Sequence, residues 1–177
     1  MRWLILPLAL VCAVAAAQPA PRSGYVPPNE REDEHLDEQS PKLPSFPKEE
    51  NLVRIQVDGE ASFGYFVDLE SVSVGGDGVV RYTLVARSDG GATNIAYEGI
   101  RCKGRERKLY AFGRADKTWS AARNQQWKSI SDLPVNRIQA ALHDGFFCPA
   151  RIIVRDAEEA RKLLKRGIDT ITDSYAR

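Results

Sequence analysis

Residues 71–114, SVSVGGDGVVRYTLVARSDGGATNIAYEGIRCKGRERKLYAFGR, decide the fold. Turn signals punctuate the stretch at Gly75-Gly76-Asp77-Gly78, at Ser88-Asp89-Gly90-Gly91 and, more tightly, at Lys103-Gly104-Arg105. Between them lie runs of strand length: Ser71–Val74, Val79–Arg87, Thr93–Cys102 and Glu106–Arg114. Connections this short pair neighbouring strands antiparallel, so the stretch reads as a meander. Upstream, Leu52–Val57 alternates Val53, Ile55 and Val57 with polar residues, and Gly64–Asp68 is aromatic-rich. Both extend the sheet, to five or six strands in all.

Downstream the apolar period changes from strand to helix. Ser131 or Asp132 can cap a helix with Pro134 in its first turn, and Val135, Ile138 and Leu142 then share a face until Gly145 ends it. Asp156 caps a second helix, with Glu159 in the capping-box position, a stripe of Ala157, Ala160, Leu163 and Leu164, and a stop at Gly167. Arg151–Arg155 between them reads as a short strand. The expectation is an α+β domain over residues 51–167: an antiparallel meander packed on one face by two C-terminal helices, then a tail, 168–177.

The chain opens with Met1-Arg2-Trp3, an uncharged apolar run from Leu4, and Ala15-Ala16-Ala17. That pattern predicts a signal peptide over residues 1–17, cut before Gln18, and hence a periplasmic or cell-envelope location. The run is shorter than the ~20 residues a spanning helix needs. Every later apolar stretch is interrupted by charge or glycine, so no transmembrane span is expected in the mature chain. Residues 18–50 carry Pro19, Pro21, Pro27, Pro28, Pro41, Pro44 and Pro47 among charges and read as a disordered acidic arm.

Charge is balanced overall, 25 Lys and Arg against 24 Asp and Glu, which argues against a nucleic-acid partner. It is not balanced locally. Acids outnumber bases eight to three from Glu30 to Glu50, and bases outnumber acids eight to two from Gly99 to Trp127. The arm is therefore expected to dock on the body in a salt-sensitive way and to compete with any anionic ligand. Of three cysteines, Cys12 falls in the signal. Cys102 and Cys148 remain, and an exported chain is expected to join them.

Only two histidines exist, His35 and His143. His35 lies in the arm. Asp144 follows His143 directly, and adjacent helical residues point apart, so a catalytic pair is not expected there. The run Glu32, Asp33, Glu34, His35, Asp37 and Glu38 reads as solvated charge, and no metal site, cofactor or catalytic residue is assigned. Arg101, Lys103, Arg105 and Arg107 alternate about the Gly104 turn. On extended strands they would gather on one side, so they form a candidate anion-binding set. Tyr97, Tyr110, Phe112, Trp119 and Trp127 read as core aromatics.

The series Tyr97-Glu98-Gly99-Ile100-Arg101-Cys102, Tyr110-Ala111-Phe112-Gly113, Trp119, Trp127 and Phe147-Cys148-Pro149 resembles the cryptic neisserial protein-like (CNP1-like) family of exported proteobacterial proteins. The likeness spans roughly residues 30–155. It implies a cell-envelope location in a Gram-negative bacterium and marked positions for both mature cysteines, and it implies no reaction. Where a small turn residue is expected before Trp119, this chain has Lys117-Thr118. The expected function is a non-catalytic binding or interaction module whose partner is an anionic envelope component or another envelope protein. The alternative is a small envelope hydrolase or transferase using His143 or a carboxylate pair.

Overall fold

The sheet is built around a strand buried on both sides. In the structure, a computed structural model, residues 38–57 and 63–175 are described, with side chains as far as Gly167. The expected signal, 1–17, and residues 18–37 of the expected arm lie outside the described residues. Strand β3 (Val79–Ser88) buries every side chain from Val79 to Val85. It lies between β2 (Phe63–Val74) and β4 (Thr93–Arg101). The order continues outward through β1 (Leu52–Ile55) on one side, and through β5 (Glu106–Gly113) and β6 (Trp119–Ala121) on the other, every neighbour antiparallel. A two-residue strand β7 (Lys128–Ser129) pairs with the start of β5.

This is the expected α+β meander, with two short strands, β6 and β7, that lack an apolar alternation. The segments 64–68 and 71–74 are one strand rather than two. A bulge between Asp68 and Ser73 interrupts the ladder. Ser71 fills the gap: its hydroxyl donates to the Asp68 carbonyl at 2.7 Å and accepts from the Thr83 amide at 2.8 Å.

One face of the sheet carries Val53, Ile55, Val67, Val80, Tyr82, Leu84 and Ile100, and the helical residues Ile138, Leu142, Phe147, Ala160 and Leu164 pack onto it. Burying each large apolar side chain there contributes roughly 1.5–3 kcal/mol. Helix α1 (Arg137–Ala141) is preceded by a 3₁₀ turn at Pro134–Asn136 and runs straight into a π-helical stretch, Leu142–Phe147. Gly145 therefore does not end it, and Val135 is exposed because the 3₁₀ turn rotates it off the Ile138 face.

Residues 151–155 are not a strand. A turn with left-handed Ala150 and Arg151 breaks the chain there, although the Val154 amide still reaches the Phe147 carbonyl. Helix α2 (Ala157–Tyr175) starts as expected, with the Asp156 carboxylate accepting from the Glu159 amide at 2.8 Å. It continues past Gly167 into the expected tail. Gly167 serves close approach instead of termination: a Cβ there would sit 2.6 Å from the Phe146 ring. Arg161 of α2 donates to the carbonyls of Leu69 and Val72, which ties the helix to the bulge of β2. Among the described residues no helix is long and apolar enough to cross a membrane.

Cys102 and Cys148 are joined, with Cα atoms 5.5 Å apart. The bond fastens the end of β4 to the end of the π-helical stretch. Closing this loop removes chain entropy from the unfolded state worth about 4 kcal/mol. Replacing both cysteines with serine is expected to lower the unfolding free energy by that order, read from the denaturant midpoint. An unchanged midpoint would show that the bond is energetically idle.

Candidate functional site

The second face of the sheet carries Arg81, Thr83, Tyr97, Gly99, Lys108 and Tyr110, and residues 38–48 cross it as an extended strap. The compact unit begins at Leu36, so residues 38–50 belong to the body and not to a free arm. The strap makes specific bonds. The Glu38 carboxylate accepts from Lys108 Nζ at 2.7 Å, from the Tyr110 hydroxyl at 2.8 Å and from the Trp127 indole at 3.1 Å. The Gln39 amide donates to Asp77 at 2.9 Å, and the Gln39 carbonyl accepts from Arg81 at 2.9 Å. Trp119 donates its indole N–H to the Pro44 carbonyl at 2.9 Å and packs on the Phe46 ring, centroids 5.5 Å apart.

Two glycines make room for this. A Cβ on Gly99 would lie 2.7 Å from the Tyr110 hydroxyl, and one on Gly113 would meet the Phe46 ring at 3.0 Å. Asp77 and Arg81 form an ion pair across the Gly75–Gly78 turn, the two side chains only 1% and 6% exposed. Burial works to raise Asp77, but the Arg81 bond and the Gln39 amide hold it below the usual carboxylate range. Burial likewise opposes ionisation of Glu38, and the bonds from Lys108 and Tyr110 outweigh it, leaving Glu38 below its ordinary value. Burial, together with the Glu38 carboxylate, pushes the Tyr110 hydroxyl up, so it stays a donor.

The four hairpin bases do not gather on one side. The chain turns through residues 102–105 with Arg105 in the left-handed region, which breaks the alternation. Arg101 lies over the Trp127 ring at 4.1 Å, on the strap face, with Glu106 beside it at 3.5 Å. Arg107 points to the helical face, 3.7 Å from Glu98. Arg105 is bound to Asp132, to Asp144 and to the Ile130 carbonyl. Lys103 stands exposed in the turn. Of the expected aromatics, Tyr97 and Tyr110 are buried and pack with Trp119, whereas Phe112 is exposed.

His143 and Asp144 are bonded after all, Nδ1 to Oδ1 at 2.6 Å, because the residues sit in the wider π-helical turn. Arg105 holds Asp144 below the usual range, and His143 adds to this. The imidazole is 1% exposed and its other nitrogen faces the Cys102 carbonyl at 3.4 Å, so the ring braces the disulfide corner. Glu98, also buried, accepts from Tyr82 at 2.9 Å and from Gln139 at 3.2 Å. Among the described residues no three His, Cys, Asp or Glu side chains converge as metal ligands.

The family model described as the CNP1-like family matches residues 31–165. The chain belongs to the CNP1-like family. No curated protein and no solved structure matches it. The residues through which its likeness to the CNP1-like family was seen divide between the two faces. Tyr97, Gly99, Tyr110, Gly113, Trp119 and Trp127 build the strap site, and Glu98, Ile100, Cys102, Phe147 and Cys148 build the helical side. The match begins ahead of Glu38, so the strap is part of the CNP1-like region. Lys108, Asp77 and Arg81 escaped the sequence reading as site residues, and Glu38, read there as solvated charge, is half-buried and bonded. One signal was available: a charge at Arg81 between Val80 and Tyr82, in a run from Val79 to Ala86 that is otherwise uncharged, calls for a buried partner.

Two outcomes check this geometry. Glu38, held below its unfolded value, contributes stability above the ordinary glutamate range and loses it as the pH falls through the depressed folded value. Tryptophan fluorescence should therefore report strap release in acid, and Asp77, also held below its ordinary value, acts in the same direction. In Lys108→Met burial dominates, and the release should move to higher pH; an unmoved transition would refute the clamp. Gly99→Ala should force the Tyr110 hydroxyl away from Glu38 and cost about 1–3 kcal/mol in a denaturant titration. A wild-type midpoint would show that the strand simply shifts to accommodate the methyl group.

Proposed function

We propose that the protein is exported to the cell envelope and works there as a non-catalytic binding module for a partner that carries a carboxylate. Three donors converging on one carboxylate, Lys108, Tyr110 and Trp127, are the observation that carries this reading. A cation, a hydroxyl and an indole N–H at 2.7 to 3.1 Å make a site selective for a planar anion rather than a general basic surface. Arg101 over Trp127 adds positive charge at its rim. The apolar leader and the CNP1-like resemblance support the envelope location. Glu38 occupies the site from within the chain. A tethered group acts at an effective concentration in the millimolar range, so it competes with outside anions.

Retention on an immobilised glutamate support at low salt tests the binding half. Glu38→Ala is expected to be retained at least several-fold longer than the wild-type chain, and Lys108→Ala in that background should abolish the gain. Equal retention of all three proteins would remove the site. For the export half, the N-terminus of the chain recovered from an envelope fraction is expected near Gln18. A chain recovered only from the cytoplasm with residues 1–17 intact would overturn that half.

A further inference from the structure

Beyond its carboxylate grip, the strap site reads main chain. Asp77 takes the Gln39 amide and Arg81 takes the Gln39 carbonyl, each at 2.9 Å. These are the main-chain donor and acceptor that every residue but proline offers, and here they follow directly on the residue that supplies the carboxylate. Farther along, Trp119 takes a third backbone group, the Pro44 carbonyl, and seats the Phe46 ring. Between these points the strap is held loosely, and Leu43 is 51% exposed. The pattern is a carboxylate, a backbone amide and carbonyl, a second carbonyl and an aromatic ring, spaced along one extended chain. Bonds to main-chain groups supply affinity for an extended polypeptide and pockets for a few of its side chains supply specificity, and here side chains of the sheet face make those main-chain bonds.

The strap does not use the whole site. Arg81 is 5% exposed, and its Nε is buried without a hydrogen-bond partner. A segment that placed an acceptor there would gain a bond that residues 38–46 forgo. Resting on the carboxylate-binding reading above, we infer that the site's ligand is an extended segment of a separate polypeptide. That segment places an acidic side chain where Glu38 lies and an aromatic one where Phe46 lies, and the strap is its intramolecular stand-in.

The test uses the full mature chain and a synthetic peptide with the sequence of residues 36–48, followed by calorimetry and by the Trp127 indole resonance. Glu38→Ala should bind the peptide at least tenfold more tightly than wild type does. A peptide with Gln for the glutamate should lose at least tenfold, as should one with Ala for the phenylalanine. If glutarate binds Glu38→Ala as well as the peptide does, the carboxylate site stands and the polypeptide inference falls. If neither binds a Glu38→Ala chain that keeps its thermal transition, both fall. Should that variant not fold, millimolar peptide on the wild-type chain must shift the Trp127 indole resonance, and no shift overturns the inference. Concentration-dependent dimerisation of wild type that Lys108→Ala removes would make the occupant a second copy of this chain, and the separate polypeptide would be wrong.

Discussion

A strand with no solvent-facing side must be covered twice. β3 buries Val79 to Val85 without alternation, so the sheet cannot leave either surface to water. Two helical segments cover one surface with aliphatic and aromatic side chains in the ordinary way. Among the described residues the other surface is covered by the strap, which is narrow and polar, and this cover is made of hydrogen bonds as much as of apolar contact. The charged residues of that face follow from this. Arg81 can occupy a buried position near the start of β3 because Asp77 and the Gln39 carbonyl bond its two terminal nitrogens. Removing Asp77 would leave an uncompensated buried charge, which costs more than the pair contributes.

The two faces meet in β4. Its successive residues alternate between a buried polar group on the helical side, Glu98, and a gap on the strap side, Gly99. One substitution in this strand therefore acts on one cover and spares the other. The disulfide corner extends the same logic to the end of the strand. Cys102 is tied to the π-helical stretch, and the His143 ring fills the space behind it. The His143 imidazole is buried here while Asp144 is exposed, and Arg105 holds that carboxylate in place, so the pair braces the corner.

The meander was legible because its turns are written in glycine and aspartate and its strands are apolar and short. The second helix was legible at its start, where Asp156 caps it, and not at its end, because Gly167 is explained by a ring from another segment. The strap site was hidden for a related reason. The donors to Glu38 lie in β5 and in the loop before β7, and Glu38 itself lies 70 to 89 residues upstream, so no local pattern joins them. The proline-rich composition of residues 38–48 suggested disorder, whereas proline also suits an extended chain that needs few of its own amide donors. The hairpin bases misled in the opposite direction. Alternation fixes a common face only while the backbone stays extended, and left-handed Arg105 ends that condition. Lys117, standing where a small turn residue was expected, adopts the same left-handed backbone and keeps the turn.

The order of the strap and its donors along the chain has a consequence for assembly. Glu38 is synthesised first, and Lys108, Tyr110 and Trp127 follow 70, 72 and 89 residues later. In a chain that emerges N-terminus first, the strap waits for a surface that does not yet exist. Contacts of such long sequence separation form late, after the shorter turns have built the sheet. Their loss then falls mainly on the rate of unfolding and leaves the rate of folding little changed. The strap is thus a latch on a finished sheet, and it governs how long the native molecule lasts more than how quickly it is made.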